Sequence, residues 1–157
     1  MKIHKIEIED FNDTDYSLIA LSTSAEDYSL TFSINQKFNI SLKRQKFDHP
    51  YSAANVNNGF SVYEFTDSKN NLSWSLVQNQ RWIEVVETKL SLFMETQTKI
   101  YLFPEFKNID FFLKIEGLEY NQEQLNQIFT QIKQISKVTA SFLVNTDEIK
   151  SKFNLKF

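Results

Sequence analysis

Cysteine is absent from these 157 residues, and glycine, proline and histidine each occur only twice. Without cysteine there is no thiol nucleophile, disulfide, iron–sulfur cluster or thiolate-bound zinc, and the absence fits a reducing compartment. Gly59 and Gly117 are widely separated, so neither a dinucleotide-binding glycine fingerprint nor a P-loop can be written. Nucleotide binding through a glycine-rich phosphate cradle is therefore excluded. No window approaches the roughly 20 apolar residues that a membrane-spanning helix needs. The opening MKIHKIEIED has no apolar signal core. A net charge of −3 argues against a broad nucleic-acid-binding face. The expectation is a cytoplasmic protein with no membrane partner.

Aromatic residues are plentiful. Fifteen phenylalanines bring the aromatic share to 15%, within a chain that is 41% apolar and 24% charged. Such a composition supports one domain over 1–157 with a large core of flat side chains, and leaves some rings for solvent or a partner.

Periodicity supplies the elements. KIHKIEIE places Ile6 and Ile8 on one face of a strand, while YSLIALST is apolar at both parities and suits a strand covered on both sides. In SAEDYSLTFSINQKF, Tyr28/Phe32 and Leu30/Ile34/Phe38 form rows of helical spacing behind a Ser24/Asp27 start. A strand through Ala25–Phe38 is the alternative. NISLKRQ is a short strand, residues of about 48–59 form a polar loop, and FSVYEFT and LSWSLVQN make a hairpin across DSKNN. A short strand follows near Trp82–Val86, and about 87–98 reads as a partly apolar connection. NIDFFLKIE alternates Ile109, Phe111, Leu113 and Ile115 against Asp110, Phe112, Lys114 and Glu116. NQEQLNQIFTQIKQI is an amphipathic helix capped by Asn121, and VTASFLVN is a strand. The predicted fold is α+β: a largely antiparallel sheet, two main helices and a carboxy-terminal βαβ-like unit, whose strands are adjacent or split by another strand.

Candidate chemistry is sparse. His4 and His49 lack partners at metal-ligand spacing, DFNDTD lacks the glycine and distal glutamate of a calcium loop, and no nucleophile-elbow motif supports a catalytic triad. No cofactor is expected. In LFPEFKNIDFFLKIEG, Pro104 ends a strand because it has no amide to donate. Glu105 and Asp110 then either hold the corner through backbone amides or act as an acid–base pair. Phe112 is covered by the first helix, or joins Lys114 in an exposed contact patch.

FPEFKNIDF, Phe103 to Phe111, resembles the signature of the bacterial IPExxxVDY family, with Pro104, Glu105 and Asp110 at the literal positions. Phe103, Ile109 and Phe111 stand where that motif has Ile, Val and Tyr, so a role for the tyrosine hydroxyl is lost. The resemblance implies a bacterial setting and brings no activity, substrate or catalytic residue.

The resulting expectation is a small interaction or accessory protein, non-catalytic on the balance of these exclusions, whose partner is another protein or itself. A hydrolase using Glu105 and Asp110 is the alternative. RNA contact through Lys43, Arg44 and Lys46 with nearby aromatics is a weaker one.

Overall fold

A computed structural model describes residues 16–50, 59–89 and 92–150. The expected amino-terminal strand with His4, the DFNDTD turn, most of the polar loop and the tail lysines from Lys152 onward lie outside the described residues.

The described residues form an α+β fold. Six strands lie in the order β2-β3-β4-β7-β1-β8, all neighbours antiparallel. They are β1 Tyr16–Ser22, β2 Lys43–Arg44, β3 Val62–Asp67, β4 Leu72–Gln78, β7 Phe111–Glu116 and β8 Ala140–Leu143. β5 Gln80–Lys89 and β6 Leu92–Tyr101 pair as a separate hairpin. Helix α1 is Asp27–Phe38 and α2 is Gln122–Lys133. Both β7 and β8 run antiparallel to β1, so the β7-α2-β8 unit is parallel and split by β1.

The two central strands alternate between two cores. Ile19, Leu21, Phe111, Leu113 and Ile115 face the helices and pack with Leu30, Ile34, Leu125, Ile128 and Ile132. Leu18, Ala20 and Phe112 face the other way, onto Ile83, Ile100, Leu102 and Phe103. This explains why YSLIALST is apolar at both parities.

Several expectations are corrected. Of the stretch of about 87–98, read as a connection, residues 87–89 belong to strand β5 and 92–98 to strand β6. The strand that Pro104 ends is β6, which among the described residues pairs with β5 and buries Ile100. Ile109 does not share the face of Phe111; it precedes β7 in a turn and joins the opposite core. Phe112 is fully buried, so it forms no exposed patch. It also packs away from α1, against Phe103 and Phe106, with ring centroids 5.0 and 5.6 Å away. Helix α1 does form, but its N-cap is Glu26 with no side-chain capping bond, so Ser24 does not cap it.

Both glycines sit where backbone passes close. A Cβ at Gly59 would collide with the His49 carbonyl across an isolated bridge, and one at Gly117 with the Asn71 carbonyl. Gly117 also has φ +99°, a conformation costly for other residues.

Candidate functional site: a locked corner and the cleft beside it

The FPEFKNID segment leaves β6, makes one 3-10 turn at Pro104–Phe106 and enters β7. Pro104 occupies the start of that turn, where a missing amide hydrogen costs nothing. The turn closes through Phe106 N–H to the Phe103 carbonyl at 3.0 Å and Ile109 N–H to the Phe106 carbonyl at 3.1 Å.

Asn79, fully buried at the junction of β4 and β5, organises the rest. Its Nδ2 donates to the carbonyls of Phe106 at 2.9 Å and Ile109 at 2.8 Å. Its Oδ1 accepts from Phe103 N–H at 2.9 Å. Its own amide donates to the Asp110 carbonyl at 2.8 Å, and its carbonyl accepts from Leu102 N–H at 2.7 Å. One side chain thus substitutes for a strand ladder across a turn that has none, which is how a buried amide becomes stabilising. Sequence reading did not single out Asn79. Its signal is modest: an isolated amide residue between two apolar strands.

Asp110 ties the same corner to β1. Its backbone N–H donates to the Leu21 carbonyl at 3.0 Å, and its Oδ2 accepts from Thr23 N–H at 2.9 Å. Its Oδ1 accepts from Gln80 Nε2. The Ser22 hydroxyl donates to the Asn108 carbonyl at 3.1 Å. Asp110 therefore binds one backbone amide of this corner, that of Thr23. Glu105 stands exposed on the 3-10 turn. The four residues named from the sequence separate accordingly: Pro104 and Asp110 shape the corner, Phe112 packs beneath it, and Glu105 faces solvent.

Beside the corner lies a cleft of about 330 Å³ whose lining includes Thr23, Glu26, Asp27, Gln80, Trp82, Lys99 and Asp110, but not Glu105. Gln80, Trp82 and Glu84 alternate along β5 opposite Tyr101, Lys99 and Gln97 of β6. Ile83 and Ile100 occupy the inward parity and are buried. Trp82 is left 62% exposed. Lys99 Nζ lies 5.5 Å from the Trp82 ring centroid and 5.9 Å from that of Tyr101. Gln80 Oε1 is shielded from solvent and has no hydrogen-bond partner among the described residues.

The basic cluster is partly committed. Arg44 pairs with Asp48 and lies 5.9 Å over the Tyr63 ring; its hydrogen bond to Asp48 raises its pKa further. Burial, and then Asp27, push the Tyr63 phenol upward. Lys46 approaches the exposed Phe47 ring. No group of three His, Asp or Glu suited to a metal ion occurs among the described residues. Nor is any helix there long and apolar enough to cross a membrane.

No family model matches this chain, and neither a curated protein nor a solved structure matches it.

Proposed function

We propose that the protein is a non-catalytic interaction domain that binds another protein through the outward face of the β5–β6 hairpin and the adjoining cleft. The observation that supports this reading is Trp82, a large ring left 62% exposed on a paired strand while the opposite parity is buried. Tryptophan is the residue most enriched at the energetic centres of protein interfaces. The strand pairing fixes the backbone that carries the ring before a partner arrives, which reduces the ordering cost of association.

Affinity capture from a lysate of the source cells tests this, with the wild-type chain run beside Trp82→Ala. A partner held by the wild type and lost from the folded variant is the expected result. A partner held equally by both chains, or no partner for either, overturns the reading.

A further inference from the structure

We propose that the protein pairs with a second copy of itself along the outer edge of β8, the two strands antiparallel about a two-fold axis at Phe142. This edge is separate from the β5–β6 face, and the proposal holds whether or not that face binds a partner.

β8 pairs with β1 on one side and with no described strand on the other. Val144 N–H donates to the Leu18 carbonyl at 2.9 Å. Hydrogen-bonded pairs alternate along an antiparallel ladder, so Phe142 with Ala20 and Ala140 with Ser22 also bond inward. The backbone groups of Ser141 and Leu143 consequently point away from β1. Such a row is a template for another strand unless charge, proline or a bulge blunts it. The opposite edge of the sheet is blunted: β2 is two residues long, and both are exposed cations, Lys43 and Arg44. The four residues of β8, ASFL, carry no charge and no proline.

The edge complements its own copy. With the axis at Phe142, Ser141 of each chain faces Leu143 of the other, and their outward amides and carbonyls all find partners. Ala140 then lies opposite Val144 and Phe142 opposite Phe142, an uncharged strip along one face. Phe142 is 42% exposed, with its ring centroid 6.5 Å from that of Phe106, so much of the ring remains for the copy to cover. The ends agree in charge. Exposed Lys137 precedes the strand, and exposed Asp147 and Glu148 follow it, with Lys150 farther on behind the buried Ile149. Antiparallel pairing brings the Lys137 end of each chain toward the acidic end of the other. A parallel arrangement sets like charges side by side. The two-fold axis makes every one of these contacts twice.

Sedimentation equilibrium of the full chain tests the proposal first. The expected result is a reversible dimer with a Kd on the order of 100 µM, as suits so short a strand. Phe142→Lys should raise that Kd at least about tenfold. Ser141→Pro should do the same, because its amide faces outward and the β1 ladder keeps its bonds. Where Ser141→Pro does not fold, Phe142→Lys decides. Register is then read by cysteines introduced one at a time into a chain that has none. Residues opposite each other in a non-hydrogen-bonded pair have Cα atoms about 4.5 Å apart, within disulfide reach. With oxidised glutathione, Phe142→Cys should form a disulfide-linked dimer. Ala140→Cys should not, since its two copies stand roughly 13 Å apart. A chain still monomeric at about 1 mM overturns the proposal. So does a dimer that either folded variant leaves undiminished, or cross-linking no faster at position 142 than at 140.

Discussion

The corner at Phe103–Asp110 and the cleft beside it share Asp110, yet they are built on opposite principles. In the corner, both ends of the Asn79 side-chain amide and its backbone groups all have partners. In the cleft, Gln80, the next residue along, leaves Oε1 unpartnered among the described residues, and Trp82 beyond it presents its ring to solvent. Neighbouring amides of the same chemistry thus do different work. One replaces a missing strand ladder, and the other leaves a shielded acceptor without a partner among the described residues. Satisfied polar networks rigidify a structure, whereas an unpaired buried polar group is costly.

Substitutions can break this contrast. The largest effect is expected for Phe112→Ala, which empties a fully buried site between Phe103 and Phe106 and should cost about 3–5 kcal/mol by urea unfolding. Asn79→Ala should follow at about 2–4 kcal/mol, because it strands one buried amide and two carbonyls. Asp110→Ala removes a carboxylate acceptor from the Thr23 amide in a half-buried place and should cost about 1–2 kcal/mol. Glu105→Ala should cost less than Asp110→Ala in the same assay. Trp82→Ala should change stability by less than about 0.5 kcal/mol, the ordinary scale for an exposed position, while abolishing partner capture. If Trp82→Ala unfolded the chain as readily as Asn79→Ala, the division between the two regions would collapse.

The smallest expected effect lies outside both regions. Burial lowers the His49 pKa below its usual 6.5. Between that lowered value and 6.5 the unfolded chain takes up a proton that the folded chain resists. The His49 contribution is therefore intact above 6.5 and is lost as pH falls through the lowered folded value. Melting temperatures measured on either side of this window should show the decline, and His49→Gln should flatten it.

Much of the framework was legible because periodicity reports burial directly. YSLIALST, LSWSLVQN and the NQEQLNQIFTQIK helix each carry the pattern of the faces they bury. The hairpin β5–β6 was harder to read past Val86. Among the described side chains its inward parity meets the core at Ile83 and Ile100, and the outward positions mix Trp82, Lys99 and Tyr101. Ile109 was misassigned because alternation was extended backward through a turn, where a period of two no longer applies. The motif itself was legible as a corner: Pro104 and Asp110 have geometries that their residue types suggest. Asn79 was not, because its role arises from a contact 24 to 30 residues away in sequence. A local pattern carries no trace of that distance. The cleft was equally hidden, since it brings together the start of α1, β5, β6 and the entrance to β7.

Amide hydrogen exchange at Phe103 and Thr23 tests the central claim most directly, because each N–H donates to a single side chain, Asn79 and Asp110 respectively. The locked corner predicts protection near that of the β1 and β7 core amides, with Phe103 protection lost selectively in a folded Asn79→Ser chain. Exchange of both amides at open-loop rates in the wild-type protein would contradict it.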